Sequence, residues 1–320
     1  MTKLITIATN TLIETLRQPI YAIIIGCAIL LFILSPSLTM YTLDDDNKLL
    51  REVGLSTLFL TSLFVAIFSA AGAVAEEIEN KTISTVLSKP VSRPTYVLAK
   101  FLGVSWAVAI AHFICSVALL FAIRHGVMET ARDTHDWTVI TAGLAVVGGA
   151  LIMGTFFSYV FGWKFSSSVV VLTALFATIG LLFLTFVDRH WKFNPAENHF
   201  NRFDIYAAIL LFLAAIVITA LAIAFSSRFN IIVTLAACVG IFLLGLVSDY
   251  VFGNYAETYL WARVARYVIP NLQVFWISDA IYEGSPVPAR YIGTAATYAV
   301  CYTGAILAVA VSLFQKRQVG

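Results

Sequence analysis

Charged residues are scarce in this chain of 320 residues, because they make up only 12% of it while hydrophobic residues make up 60%. A soluble domain usually carries about 25% charged residues, which it needs to cover its water-exposed surface. The low charge excludes a water-soluble fold of this size. It indicates an integral membrane protein without a soluble domain large enough to work by itself.

Other scarcities exclude further classes. The net charge is only +2, and no basic stripe alternates with aromatic residues, so binding to nucleic acid is not expected. The four cysteines lie inside apolar stretches and no pair has metal-ligand spacing, so we expect small buried residues, not a metal site or disulfides. They are Cys27, Cys115, Cys238 and Cys301.

Nucleotide and catalytic motifs are missing as well. The sequence has no G-x-x-x-x-G-K-[ST] phosphate loop, and it lacks H-E-x-x-H and G-x-S-x-G. We therefore expect no catalytic residues, no metal and no cofactor in this chain.

What the sequence does contain is eight long apolar runs, each close to the roughly 20 residues that cross a bilayer as a helix. They cover residues 19–41, 55–75, 96–123, 138–161, 167–187, 205–225, 231–252 and 291–314. An open sheet would leave unpaired edges in lipid, and barrel strands are half this length. The sequence predicts an all-α, polytopic membrane bundle of about eight transmembrane helices, forming one domain over residues 1–320.

The even number of runs puts both termini on one side, and the Lys and Arg near the span ends weakly favour the cytoplasm. Two tight links, at residues 162–166 and 226–230, predict antiparallel hairpins. Pro36 predicts a kink in the first span, with the freed carbonyl satisfied by a neighbouring helix. Residues 1–18 predict an interfacial helix whose apolar face carries Leu4, Ile5, Ala8, Leu12 and Leu16.

The loop between the second and third runs, residues 76–95, is the most informative stretch. Glu76, Glu77 and Glu79 open a short predicted helix, where the helix dipole favours negative charge. Pro90 and Pro94 end it. Taken alone, this composition is also typical of an ordinary solvated loop on the cytoplasmic side.

The residue order of this loop resembles the permease subunits of ABC-2 type ABC transporters. The branch it resembles contains the permeases of copper-processing (nitrous oxide reductase maturation) and gliding-motility systems. The matching residues are Glu76, Glu79, Thr82, Ile83, Leu87, Ser88, Lys89, Pro90, Val91, Ser92, Arg93, Lys100 and Gly103. The end of the chain agrees through Pro270, Asn271, Leu272, Phe275, Asp279, Ala280, Gly284, Tyr291 and the basic stop at 314–317. The family core has six spans, so two of the eight predicted here are extra, within residues 138–252.

The resemblance implies a permease, an exporter in a cell inner membrane, that works with other chains. Its partners would be a cytoplasmic ABC ATPase, which binds ATP and Mg²⁺, a second permease subunit in a homo- or heterodimer, and membrane lipids. The loop would be the coupling segment that docks on the ATPase. The implied interface residues are Glu76, Glu77, Glu79, Lys81, Thr82, Ser88, Lys89, Pro90 and Arg93.

The resemblance also bears on residues 253–290, which would be an external or re-entrant segment near an exit gate. Tyr259, Leu260, Val264, Tyr267 and Val268 predict an amphipathic helix there. An interfacial loop with an aromatic belt is the alternative. The cargo and the path-lining residues do not follow from the sequence.

Two other functions fit parts of the sequence. Glu76, Glu77, Lys81, His125 and His190 imitate motifs of CAAX-type intramembrane proteases, although Lys81 replaces an arginine there. A secondary transporter or channel is the second alternative. Such proteins usually carry charges deep in their spans, and here His112 is the main mid-span candidate, for which a hydrogen-bonded structural role is expected.

Overall fold

In a computed structural model of the chain, the residues described are 2–39, 46–75, 92–128, 134–195, 200–253, 255–278 and 287–315. They form α-helices with no strand among them beyond an isolated bridge between Val187 and Phe193. The all-α prediction is confirmed. The helices are α1 Thr2–Arg17, α2 Pro19–Leu38, α3 Asp46–Ala70, α4 Arg93–His125, α5 Trp137–Phe161, α6 Phe165–Phe186, α7 Arg202–Ser226, α8 Ile231–Leu246, α9 Ser248–Gly253, α10 Leu260–Val268 and α11 Ala289–Gln315.

Seven of these helices are long and apolar enough to cross a membrane, namely α2, α3, α4, α5, α6, α7 and α11. They agree with seven of the eight predicted spans and confirm a polytopic membrane protein. The prediction of one continuous span over 231–252 is wrong. There α8 has 16 residues, a length of about 24 Å, which is short of the roughly 30 Å of hydrocarbon.

The break after α8 lies beside Gly245, where a later segment of the chain makes contact. The Gly245 carbonyl oxygen accepts a hydrogen bond from the Leu272 N–H at 3.1 Å. A Cβ atom at position 245 would lie 2.7 Å from the Pro270 carbonyl oxygen. The segment after α10 therefore packs directly on the last turn of α8, and the chain restarts as the short helix α9.

The chain divides into two compact units. The first unit comprises Met1–Thr15, Leu63–Val108 and Ile209–Gly320, and the second comprises Leu16–Ser62 and Ala109–Ala208. The division falls inside α1, α3, α4 and α7, so these helices contribute residues to both units.

Within the second unit, α5 and α6 form the predicted hairpin. The Asp136 carboxylate caps α5 by accepting from the backbone N–H groups of Thr138 and Val139, as N-caps do. Gly162 ends the helix at φ 68°, a left-handed conformation that suits glycine. A Cβ at Gly154 would lie 2.6 Å from a methyl group of Val169, so the two helices touch closely there.

Ionic contacts join helix ends in the same unit. Arg124, near the end of α4, lies 3.7 Å from the Asp136 carboxylate at the start of α5. Its guanidinium also donates to the Val187 carbonyl oxygen, 2.7 Å away, just after α6. The Val127 N–H, after α4, donates to the Asn47 side chain at the start of α3. Starts and ends of successive helices thus meet at one end of this unit, as an up-and-down bundle requires.

The helix α3 begins nine residues before the predicted second span. Its first turns are polar, and they are held by Arg51, whose Nε donates to the buried carboxylate of Asp204 at 3.2 Å. Because Asp204 opens α7, this ion pair ties the starts of two helices. A hydropathy pattern does not reveal such a polar extension.

The predicted role for a neighbouring helix at Pro36 is wrong. Pro36 lies inside α2 and has no N–H for the carbonyl of Phe32, four residues earlier. The Ser35 hydroxyl donates to that carbonyl at 2.9 Å, so the same helix supplies the missing donor.

Two more expectations need correction. Cys115 and Cys238 are buried as predicted, but Cys27 and Cys301 are exposed on their helices. The predicted helix over 1–18 is present as α1. Its buried positions are Thr11, Thr15 and Leu16, whereas Ile5 is exposed, so only part of the predicted apolar face packs on protein.

Candidate coupling site

Most residues assigned to the coupling loop lie outside the described part of the chain. These are Glu76, Glu77, Glu79, Lys81, Thr82, Ser88, Lys89 and Pro90, whereas Arg93 is described. The structure instead describes the two helices to which the loop is joined. The contacts that these helix ends make with α8, α11 and α1 lie within the first unit.

The chain enters the loop through a π-helical turn, Ala71–Ala75, which continues α3. Such turns are rare, and they occur frequently at functional sites. Four of its five residues are buried, and it packs against α8. Because only small side chains and one valine fill this turn, the α8 backbone can approach closely.

The chain leaves the loop at Ser92, which caps α4. The Ser92 carbonyl oxygen accepts from the Tyr96 N–H at 3.1 Å, and the Ser92 and Thr95 hydroxyls lie 2.6 Å apart. Pro94 follows in the first turn, where its missing N–H has no cost. Local chemistry therefore fixes where α4 begins, immediately after the loop.

Arg93 ties this start to the last helix of the chain. Its Nη1 group donates to the Phe314 carbonyl oxygen at 3.2 Å and also to that of Gln315. These carbonyls have no partners inside α11, and a cation is favoured beside them by the helix dipole. The beginning of α4 and the end of α11 are therefore held together.

An aromatic contact lies behind this ion–carbonyl contact. The rings of Tyr96 and Phe314 are both buried and stack with centroids 5.3 Å apart. The Lys100 ammonium lies 5.8 Å from the Tyr96 ring centroid, a cation–π distance. Sequence reasoning placed Lys100 at the membrane entry but did not foresee that Tyr96, on which it lies, stacks on Phe314 from the far end of the chain.

A close helix contact explains why the residue three positions after Lys100 is a glycine, Gly103. A Cβ atom there would lie 2.5 Å from the Ala8 carbonyl oxygen and 2.7 Å from Thr11 Cβ. The backbone of α1 therefore passes directly over α4, about two helical turns along the helix from Tyr96 and on a surface that only glycine leaves open.

His112 is the polar group that lies furthest inside a span among the predicted candidates, and it belongs to the second unit. Its Nε2 lies 2.9 Å from the Ala208 carbonyl oxygen, which only a ring N–H can satisfy. Its Nδ1 lies 2.7 Å from the Ser62 hydroxyl. The histidine thus links three helices through both nitrogens, so the expected hydrogen bonding is confirmed, and its structural role stays a prediction.

Helix length weighs against the protease alternative. His125 is the last residue of α4, and Arg93 is the first. An unbroken helix of 33 residues separates its ends by about 48 Å. Catalytic groups must lie within about 3 Å of reacting atoms, and the two glutamates of the motif, Glu76 and Glu77, lie outside the described residues.

The predicted outer helix exists as α10, and hydrogen bonds from tyrosines of α11 hold the segment that follows it. The Tyr302 hydroxyl donates to the Val268 carbonyl oxygen at 2.5 Å, and Tyr291 donates to that of Val274 at 2.7 Å. Between them the Tyr298 hydroxyl accepts from the Asn271 N–H at 2.9 Å. Since 11 positions of α11 separate the two outer tyrosines, residues 268–274 run along about 16 Å of that helix.

Comparison with known protein families bears on this arrangement. Residues 19–162 match the model of the ABC-2 family transporter proteins. The ABC-2 match begins with α2 and ends at the turn after α5, so it contains the coupling loop and both helices next to it. It supports a membrane permease of an ABC transporter.

The ABC-2 match agrees with the resemblance found in the loop sequence. No curated protein matches the chain significantly. Among the described residues, no three histidine, cysteine or acidic side chains come close enough to hold a metal ion.

Proposed function

We propose that this chain is the permease subunit of an ATP-driven exporter of the ABC-2 type. A separate cytoplasmic ABC ATPase docks on the loop at 76–95 and supplies the energy. The observation that carries the proposal is the match over residues 19–162, which contains this loop. The described ends of the loop support it, because both are anchored to other helices.

Movement of the loop would reach the membrane by two routes. On one side the π-helical turn Ala71–Ala75 packs against α8. On the other side Arg93 contacts the end of α11, and Gly103 contacts α1. A force on the loop therefore acts on five helices, where a loop with free ends would transmit little.

The proposed ATPase interface consists of Glu76, Glu77, Glu79, Lys81, Thr82, Ser88, Lys89, Pro90 and Arg93. Arg93 contributes from the membrane side, since it already holds α11. ATP and Mg²⁺ belong to the partner, because this sequence has no phosphate loop. A second permease subunit completes the transporter.

We place the chain in a cell inner membrane with both termini in the cytoplasm. Two contacts support termini on the loop side. The Ala8 backbone packs on Gly103, ten residues after α4 begins, and α11 ends beside Arg93. The seventh crossing would then be made by the broken pair α8 and α9. The loop sequence resembles the branch with the copper-processing and gliding-motility permeases, and we include this branch in the proposal.

Affinity purification from native membranes tests this proposal. The tagged chain should retain an ATPase that carries a phosphate loop. The double variant Glu76→Arg plus Glu79→Arg should still insert into the membrane but lose that ATPase. Glu14→Arg, a charge reversal on the exposed face of α1, serves as the control and should retain it.

An ATPase that co-purifies equally with all three proteins would contradict the assigned interface. Absence of any ATPase from the wild-type sample, together with cargo flux driven by an ion gradient, would instead support a secondary transporter. Peptidase activity that Glu77→Ala abolishes would support the protease.

A further inference from the structure

The second unit contains an apolar groove between α5 and α6, with a volume of about 470 Å³. It lies at the end of the hairpin away from the Gly162 turn, with Ala145 on one wall and Phe176, Ile179 and Phe183 on the other. The hydroxyl of Thr141, which also lines it, already donates to the Trp137 carbonyl oxygen at 2.8 Å. The groove therefore offers hydrocarbon contacts without competing polar groups.

Small residues create this space. Gly180 contributes no side chain, and a Cβ there would lie 3.0 Å from a methyl group of Val146. Ile179 is 54% exposed, so the groove opens to the outside of the unit. Because α5 and α6 are long enough to cross the membrane, we expect lipid at this opening. The volume lies within the range of pockets that enclose small molecules.

Trp191 closes the groove at the end of the hairpin. Its backbone has φ 61°, which is uncommon for a residue other than glycine. The turn that imposes it is closed by hydrogen bonds from Asp188 N–H to the Lys192 carbonyl and from Trp191 N–H to the Asp188 carbonyl. The indole lies 6.2 Å from the Phe183 ring. Tryptophan with one apolar and one wet side is typical of the membrane interface.

Positive charge surrounds this closed end. The Nε atoms of Arg124 and Arg189 lie 3.7 and 3.8 Å from the same oxygen of Asp136, which is 2% exposed. Two guanidiniums therefore share one carboxylate. Arg124 also donates to the carbonyl oxygens of Leu184 and Val187, whereas the Arg189 side chain is 46% exposed.

Lys192 adds an exposed cation to the same turn. Asp188 is the second carboxylate there, and its Oδ1 accepts from the Arg189 N–H at 2.5 Å. Among the described residues at this end, three cations against two carboxylates leave an excess of positive charge. The positive end of the α5 dipole adds to it. The charge lies at the groove end where a lipid headgroup would be.

We propose that this groove binds one acyl chain of an anionic phospholipid. Its phosphate lies against Arg189 and Lys192, and Trp191 packs at the junction of headgroup and chain. Bidentate contacts to phosphate oxygens suit the arginine fork. The site is separate from the coupling loop and depends only on the membrane location of the α5–α6 hairpin.

Quenching of Trp191 fluorescence by brominated lipids tests the proposal. The purified full chain is reconstituted in phosphatidylcholine vesicles that contain increasing fractions of dibromo-acyl phosphatidylglycerol or dibromo-acyl phosphatidylcholine. The chain has six tryptophans, so the Trp191 signal is taken as the difference between wild type and Trp191→Phe. We expect half-quenching at a fraction of the anionic lipid about five-fold lower than that of the zwitterionic lipid, since a cation near anionic lipid adds about 1 kcal/mol.

Two variants separate the chain site from the charge site. Ala145→Leu places extra volume in the groove and should cut Trp191 quenching by both lipids at least two-fold. Gly148→Leu adds a side chain on the same helix where a Cβ meets nothing within 4 Å, and should change nothing. The double variant Arg189→Gln plus Lys192→Gln should remove the preference for phosphatidylglycerol while quenching by phosphatidylcholine persists. Arg202→Gln, an exposed arginine at the start of α7, is its matched control.

Three results would overturn the proposal. If the two lipids half-quench wild-type Trp191 at the same lipid fraction, the proposed charge site is contradicted. Unchanged quenching in a folded Ala145→Leu protein, with thermal unfolding at the wild-type temperature, would remove the acyl site. In the third case neither lipid quenches Trp191, and quenching appears only after a dimer detected by cross-linking is diluted. That result would show that a second copy of the chain occupies the groove.

Discussion

The guanidinium of Arg93, the first residue of α4, lies 3.2 Å from the carbonyl oxygen of Phe314 in the last turn of α11. The two residues are 221 positions apart in the chain. Their contact joins the helix that leaves the coupling loop to the helix that ends the protein. It is the clearest structural reason for an arginine at the end of the loop motif.

Replacing Arg93 with alanine should loosen the end of α11. The variant removes a charged donor from two carbonyls, and hydrogen bonds to charged groups contribute about 1.5–3 kcal/mol. Because the site is partly exposed, we expect a loss nearer 1 kcal/mol, together with faster proteolysis of the C-terminus. Thermal unfolding in detergent and limited trypsin digestion measure these effects.

Arg93→Lys provides the comparison for that experiment. A lysine keeps the charge but lacks the fork that reaches both carbonyls, so it should restore only part of the stability. If trypsin digests the Arg93→Ala variant at the same rate as the wild type, the contact with Phe314 and Gln315 does not hold the helix end.

Gly103→Ala should separate α1 from α4. The added Cβ would lie 2.5 Å from the Ala8 carbonyl oxygen, a backbone atom that cannot rotate away. Overpacking of this kind costs about 1–3 kcal/mol. A thiol probe at position 8, introduced as Ala8→Cys, should become more accessible in the variant. Gly293→Ala, where a Cβ meets nothing within 4 Å, is the matched control.

The Gly103→Ala variant tests the packing of α1 on α4 independently of any ATPase. If the probe at position 8 reacts at the same rate in both backgrounds, the close approach of the two helices is refuted. Loss of stability in the Gly293 control to the same extent would indicate a general effect of replacing glycine.

His112→Phe should destabilise the bundle modestly. The variant leaves the Ser62 hydroxyl and the Ala208 carbonyl without the ring nitrogens that face them. Interhelical hydrogen bonds in membranes average about 0.6 kcal/mol and reach about 1.7 kcal/mol, so we expect a loss in that range. Thermal unfolding measures it, with Phe113→Leu on the exposed side of the same helix as control.

The His112→Phe variant also distinguishes an ATPase-driven permease from a secondary transporter. A permease driven by an external ATPase should keep its cargo flux at the wild-type rate per folded molecule. Abolished flux with unchanged folding would mean that His112 takes part in ion coupling, as a secondary transporter would require.

Asp136→Asn should cost more than any of these changes. It removes the carboxylate nearest to the guanidinium of Arg124, which is 14% exposed, and weakens the cap of α5. Removing one partner of a buried ion pair costs about 3–5 kcal/mol, and partial exposure of Arg189 lowers our expectation to about 2–3 kcal/mol. Unfolding by heat should show this loss, while Glu257→Gln, an exposed neutralisation, should leave stability unchanged.

The double variant Asp136→Asn plus Arg124→Gln distinguishes charge from packing. Because it removes both members of the pair, it should recover part of the lost stability. No recovery would mean that capping of α5, rather than the ion pair, explains the effect of the single change.

The membrane fold could be predicted from the sequence because lipid leaves little choice. Backbone groups must bond within their own segment, so an apolar run of about 20 residues becomes a helix. Seven of the eight predicted runs are such helices. The prediction of a span over 231–252 is wrong because the helix break depends on Leu272 and Pro270, which contact Gly245 from a later segment.

The candidate site was predictable only through its local chemistry. Ser92 and Pro94 fix the start of α4 by interactions within a few residues, and the order of residues in the loop carried the resemblance that the match over 19–162 supports. The assignment of Glu76, Glu77 and Glu79 to an ATPase interface stays a prediction. Nothing near Arg93 in the sequence indicates Phe314 as its partner.

The sequence by itself determined where helices form, because hydropathy and capping act over a few residues at a time. Only the tertiary structure decided which helix ends meet, such as Arg93 with Phe314 and Arg124 with Asp136, and where a groove remains beside Gly180. Those outcomes depend on distances between segments remote in the chain. Side-chain volume and charge can be matched across such distances only after the helices have packed.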